Sequence, residues 1–241
     1  MSYIETNGYF TFDGVKSSTY GVWINGGGTF NAAARRYKEY VIPGRNGSLT
    51  IDEGAFEEIE HIYPAFIASS FSSNIETFRN LLMSKVGYCR LTDTFHTGEF
   101  YRAKYMSGLE ADVVPGGVAG SFELKFKRDP RRFLLTGETA TTITSSTGTI
   151  SNPTLFDSKP LIRVTGYGTL TVGSDVVTIA NTYAYVDIDS ELQDCYHGAD
   201  NANPQVTFQS NNFPVLKPGT NNIAISGNIT SVKITPRWFI V

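Results

Sequence analysis

Phe122-Glu123-Leu124-Lys125-Phe126-Lys127 places an apolar residue at every second position and a charged one between. A period of two sends successive side chains to opposite faces, so this stretch reads as a strand with one face in a core and one in water. Glu99 to Met106 reads the same way. Tyr40-Val41-Ile42-Pro43 and Ser48-Leu49-Thr50-Ile51 flank Gly44-Arg45-Asn46-Gly47, a hairpin expectation resting on the Asn-Gly turn pair. Gly116-Gly117 marks another turn, and Gly26-Gly27-Gly28 reads as a flexible turn between strands, without the spacing of a dinucleotide-binding loop.

One helix interrupts the strands, expected from Asn74 to about Lys85. Ser73 stands three residues before Glu76, the capping-box spacing, and Ile75, Phe78, Leu81 and Leu82 share a face. Lys85 in the last turn and Gly87 beyond it suit a helix end.

Beyond residue 132 the chain becomes a series of short apolar runs separated by Gly, Asn, Asp and Pro. Leu161-Ile162-Arg163-Val164, Thr169-Leu170-Thr171-Val172, Val176-Val177-Thr178-Ile179, Tyr183 to Ile188, Ile223-Ala224-Ile225 and Val232-Lys233-Ile234-Thr235 are the clearest. Many short strands at close spacing predict a sandwich or barrel. The charge pattern changes at the same place. Residues 1–132 hold 15 Lys+Arg and 15 Asp+Glu, and residues 133–241 hold 5 and 8. Thr136 to Gly148, dense in Thr and Ser, reads as an exposed strand or linker. The expectation is a mainly β chain of two domains, 1–132 and 133–241. The apolar ending Pro236-Arg237-Trp238-Phe239-Ile240-Val241 reads as a last packed strand.

The chemistry is sparse. The net charge of −3 over 241 residues argues against a protein whose main task is coating nucleic acid or an anionic membrane. No apolar run is long enough for a transmembrane helix, and the first residues show no secretory signal. Cys89 and Cys195 read as reduced, buried small hydrophobes. His61, His96 and His197 fall in three unrelated segments and read as scattered. Asp187, Asp189 and Glu191 alternate, so on a strand they line one face. That could make a Ca²⁺ site or a glycosidase acid pair, but the polar face of a strand burying Val186 and Ile188 is the stronger reading. Lys127-Arg128-Asp129-Pro130-Arg131-Arg132 reads as a solvated basic segment at the domain junction, and Arg35-Arg36 as surface charge or a partner contact.

The order of several segments resembles the distal tail proteins of long-tailed bacteriophages. The segments are Phe10 to Gly14, Gly21-Val22-Trp23-Ile24, Val41 to Gly47, the helix leading into Gly87 to Thr94, and Phe122 to Pro130. Asn152-Pro153, Pro160-Leu161-Ile162, Asp187 to Glu191, Phe213 to Asn221 and Pro236-Arg237-Trp238 continue the resemblance nearly to the end.

The resemblance implies a non-enzymatic virion protein of the tail tip or baseplate, with no cofactor, metal or catalytic residues. It implies a hexameric ring built by a β-sandwich or split-barrel-like N-terminal domain with one helix, around a channel that DNA crosses in transit. It implies a galectin-like C-terminal β-sandwich that can carry receptor-binding proteins. The implied partners are the major tail tube protein and the tail-associated hub protein. Arg35, Arg36, Pro43, Gly44, Arg45 and Asn46 are the expected interface residues, because Arg45 beside a rigid Pro-Gly pair offers five donors at a turn. Two other readings stand beside it. One is a carbohydrate-binding lectin using Tyr167, Tyr183 and Tyr185; the other is a glycoside hydrolase using the acidic strand.

Overall fold

The computed structural model describes residues 8–26 and 31–241, so Gly27 and Gly28 of the glycine run lie outside the described residues. The chain is mainly β, with one α-helix among the described residues, and divides into two compact units, one to Arg132 and one from Phe133 to Ile240.

The first unit is an antiparallel sheet. Its strands follow the order Val15–Lys16, Phe10–Phe12, Cys89–Asp93, Glu99–Tyr105, Gly120–Leu134, Ile59–Ile67, Val22–Ile24. Alternation decides which face is buried. Tyr63, Ala65 and Ile67 turn inward from one strand, and Phe122, Leu124 and Phe126 from its neighbour. The inward face is aromatic. The Phe10 ring stacks on Tyr63 at 5.3 Å and meets Phe126 edge-on at 5.5 Å, a geometry that aromatic quadrupoles favour.

The helix Phe71–Met83 closes this core with Phe71, Phe78 and Leu82. It begins three residues earlier than the capping-box spacing implies. The N-cap is Ser70, held in the left-handed region at φ 54°, and no side chain caps the helix. Ser73 Oγ instead donates to the Ser70 carbonyl at 3.1 Å. What fixes the start is a long-range bond, Phe71 N–H to the Val118 carbonyl at 3.1 Å, together with burial of Phe71. At the far end Gly87 is left-handed at φ 76°, and Lys85 reaches Asp13 at 2.6 Å.

The second unit is a two-sheet β-sandwich. One sheet runs Thr141–Ile143, Ser231–Thr235, Leu161–Thr165, Tyr185–Asp189, Asp194–His197, Asp200–Asn201. The other runs Thr147–Asn152, Gly219–Gly227, Gly168–Val172, Asp175–Ile179, Val206–Phe208. Ile162, Val164, Val186 and Val232 from the first share one core with Leu170, Val172, Val177 and Ile223 from the second. Gly173 turns a tight hairpin. Val172 faces Asp175, so Gly173-Ser174 is a two-residue loop with φ 58° at its first position, where a type II′ turn needs glycine. The Thr-rich stretch after residue 136 supplies two strands, Thr141–Ile143 and Thr147–Asn152.

The basic segment departs from its expected solvation. It lies within the strand Gly120–Leu134, where Arg128 is only 1% exposed. Its guanidinium sits 4.4 Å over the Tyr101 ring and donates to the Asn31 carbonyl at 3.0 Å. Arg131 is clamped by Asp129 through two bonds of 2.9 and 2.8 Å, and Arg132 reaches Glu99 at 3.3 Å. Strand alternation turns Arg128 toward the core side, and the ring face and carbonyl compensate part of its desolvation. Both cysteines are free thiols; Cys195 is buried and Cys89 only half-buried.

Candidate functional site

One element of the first unit stands apart from the large sheet. Arg35–Val41 and Ser48–Phe56 form a two-stranded ribbon that pairs with no other strand among the described residues. Six residues join them. Pro43 and Gly44 make the first bend, with the Arg45 N–H donating to the Ile42 carbonyl at 3.2 Å and Gly44 at φ 80°, the type II pattern. Gly47 is also left-handed, at φ 79°. The chain thus turns on Pro43-Gly44 before it reaches the Asn-Gly pair.

The register sorts the side chains. Tyr40 faces Leu49 and Lys38 faces Ile51, so these four lie on one side. Tyr37 faces Asp52 and Glu39 faces Thr50 on the other. A bulge lies opposite Arg36 and Tyr37, where Glu53 and Gly54 are extra and Gly54 takes φ 68°. Ion pairs hold the base: Arg35 to Asp52 at 2.9 Å, Lys38 to Glu53 at 2.8 Å and Arg36 to Glu53 at 3.4 Å. The Gly54 N–H bond and then Arg35 pull the Asp52 carboxyl below its ordinary range, and Lys38 does the same for Glu53. Pairs this exposed orient side chains more than they stabilise.

The ribbon's apolar side is uncovered. Tyr40 is 50% exposed, Leu49 42% and Ile51 49%. A lone two-stranded hairpin is at best marginally stable in water and normally packs its apolar side against something. The six interface residues expected from sequence all fall on this one hairpin, Arg35 and Arg36 in its first strand and Pro43, Gly44, Arg45 and Asn46 in its turn. The expected interface residues do not include the apolar trio, whose signal in the sequence is the half-buried-strand alternation of Leu49-Thr50-Ile51-Asp52.

The acidic strand has its carboxylates engaged. Asp187 is 3% exposed and accepts two bonds of 2.7 Å from Arg163. Asp189, 2% exposed, accepts 2.7 and 2.8 Å bonds from Arg237 and the backbone N–H groups of Glu191 and Leu192. Burial pushes the Asp189 carboxyl up, but the Arg237 and backbone bonds together hold it below its ordinary value. Among the described residues no group of three or more His, Cys, Asp or Glu could hold a metal ion.

Two of the three histidines meet, contrary to their scattered reading. His61 and His96 are buried with ring centroids 6.3 Å apart. Asp93 holds His96: it accepts from Tyr63 Oη at 2.6 Å and from the Phe95 and His96 backbone N–H groups, and pairs with His96 Nδ1 at 2.9 Å, while His61 packs on the Tyr63 ring at 4.4 Å. Burial, with the Arg128 charge, pulls the His61 imidazole down to about 4. His197 lies in the other unit, stacked on Tyr183 at 4.8 Å and tilted against Tyr185 at 4.3 Å. Arg163 lies 4.3 Å over Tyr185, so two of the three tyrosines of the lectin reading, Tyr183 and Tyr185, are engaged within the chain.

No family model matches the sequence, and no curated protein matches it. Solved structures do. The SPP1 Dit protein (gp 19.1), described as a paradigm of the hub adsorption apparatus in phages infecting Gram-positive hosts, superposes with a TM-score of 0.74. That match is 14% identical and covers 97% of this chain and 99% of that one. A chain of the phage p2 baseplate in its activated conformation with strontium aligns at a TM-score of 0.45 and 9% identity, over 95% of this chain and 97% of that one. The chain therefore has the mainly β fold of the SPP1 Dit protein along nearly its whole length.

Proposed function

We propose that this protein is a structural hub of a phage tail tip or baseplate, a virion component made in the host cytoplasm. Six copies form a ring through the first unit, residues 1–132, around a channel for DNA in transit. The ring joins the major tail tube protein to the tail-associated hub protein. The second unit, residues 133–241, is a galectin-like sandwich that serves as a platform for receptor-binding proteins. The protein performs no catalysis and needs no cofactor.

The observation that carries this reading is the uncovered ribbon. A chain with the fold of a hub adsorption protein holds Tyr40, Leu49 and Ile51 exposed on an element that pairs with no other strand among the described residues. A ring subunit needs a surface of this kind, because closure by rotation joins two different patches of identical chains. The enzymatic reading has less support, because Asp187 and Asp189 are each tied to an arginine rather than set apart as acid and base.

The test is the full chain with Tyr40, Leu49 and Ile51 all changed to Ser. The wild-type chain should assemble at micromolar concentration, and the triple variant should be monomeric with both units melting as before. Equal assembly of the two proteins would remove the ribbon from the interface.

A further inference from the structure

The ribbon needs a receiving surface, and the first unit carries one that suits it. Between the strands Ile59–Ile67 and Gly120–Leu134, inward alternation buries Tyr63, Ala65, Phe122 and Leu124. The outward residues between them line an open groove of about 830 Å³, walled by Ser107 to Asp112. Its floor is Pro64 facing Glu123 and Phe66 facing Ser121. Its charge is lopsided: Glu110, Asp112 and Glu123 stand against Lys125. Lys125 lies 3.5 Å from Glu123, which leaves Glu110 and Asp112 with no ion pair among the described residues.

The ribbon has the opposite imbalance. Arg35, Arg36 and Lys38 pair with Asp52 and Glu53, and with Glu39 the charges of the two strands balance. Arg45 at the turn has no such partner among the described residues, and it sits at the end of the exposed Tyr40, Leu49 and Ile51 side.

We propose that the occupant of this groove is the Arg35–Phe56 ribbon of a second copy of this chain. Arg45 of one copy meets Glu110 and Asp112 of the next, and Tyr40 and Leu49 lie over Pro64 and Phe66. An aromatic ring on a proline and a guanidinium between two carboxylates are both favourable, and steering by opposite charge fixes the register. The contact is heterologous, ribbon to groove, so every copy both gives and receives, as a closed ring requires. This deepens the ring reading and rests on it.

Charge exchange in the full chain tests it. Arg45→Glu alone, and Glu110→Arg with Asp112→Arg, should each lower the association constant by about tenfold or more, since like charges then meet. Joining all three substitutions in one chain should return it to near the wild-type value. The melting temperatures should stay unchanged throughout, because every altered side chain is exposed. If the wild-type chain assembles but the reversals have no effect, or the combined variant stays dissociated, the groove is not the acceptor and the ring reading stands alone. If the wild-type chain never assembles, both fall. Retained self-assembly with lost binding to another tail protein would assign the groove to that protein instead.

Discussion

Arg237 closes a two-pronged bond on Asp189, both oxygens engaged at 2.7 and 2.8 Å, with the carboxylate buried and the arginine in the left-handed region at φ 60°. The last residues of the sandwich are thereby fastened to the middle of its first sheet. The Ser158 hydroxyl donates to the Pro236 and Arg237 carbonyls beside it. A strand whose carboxylates read as a polar face is a structural anchor, with Asp187 and Asp189 buried and arginine-bound.

Removing one partner of a buried, hydrogen-bonded pair strands the other charge. Arg237→Ala should therefore destabilise the second unit by about 3 kcal/mol, with hydrogen exchange rising across Tyr185–Asp189 and Phe239–Ile240. The Asp189 carboxyl is lowered in the folded state, so its contribution is present above the unfolded value near 4 and is lost as pH falls through the folded one. Wild type should lose this stability below pH 4, and Arg237→Ala should show a flatter acid limb. Calorimetric titration with Ca²⁺ at millimolar concentration should show no one-to-one binding, because the carboxylate oxygens are already satisfied.

The first unit should show a separate acid dependence. His61 is held near 4 by burial and by Arg128, with Asp93 opposing and His96 adding to the depression. An unfolded histidine titrates near 6.5, so between those values the unfolded chain binds the extra proton and the unit weakens as pH falls. The loss is on the order of 3 kcal/mol between pH 6.5 and 4. His61→Leu should flatten this slope when hydrogen exchange is followed in Ile59–Ile67. An unchanged slope would mean His61 is not the titrating group.

Phe78 and Glu76 share the helix but not its environment. Phe78 is 1% exposed and meets the Phe10 ring at 6.1 Å, whereas Glu76 faces water and closes no capping box. Phe78→Ala should cost about 3–5 kcal/mol and Glu76→Ala less than about 0.5 kcal/mol, measured by denaturant unfolding. Equal losses would contradict the placement of the helix.

Much of the β framework could be read from residues because a half-buried strand writes its burial into alternation. Phe122, Leu124 and Phe126 did so, and so did the short runs of the sandwich. The helix start could not be read, since it depends on Phe71 meeting Val118 across 47 positions. Nor could the full His61–Asp93–His96 cluster, because Asp93 and His96 stand three residues apart but only sheet order brings His61 to them. Arg128 misleads in the opposite way, as a core residue inside a segment that reads as solvated. The ribbon shows the deepest limit. Leu49 and Ile51 have the pattern of a core-facing strand, yet nothing in that pattern says whether the cover comes from the same chain or another.

Arg45→Ala should separate folding from assembly. The side chain is exposed, so the melting temperature should barely move, within about 0.5 kcal/mol of stability. Ring yield or docking to the adjacent tail protein should fall. Wild-type yield of rings and tails would leave Arg45 as a turn residue only.

The ring itself is settled most directly by native mass spectrometry of the full chain, both purified at micromolar concentration and recovered from tails. The predicted result is a mass of six copies of the 26.5 kDa chain. A stable monomer in both preparations, or a closed assembly of another copy number, would contradict it.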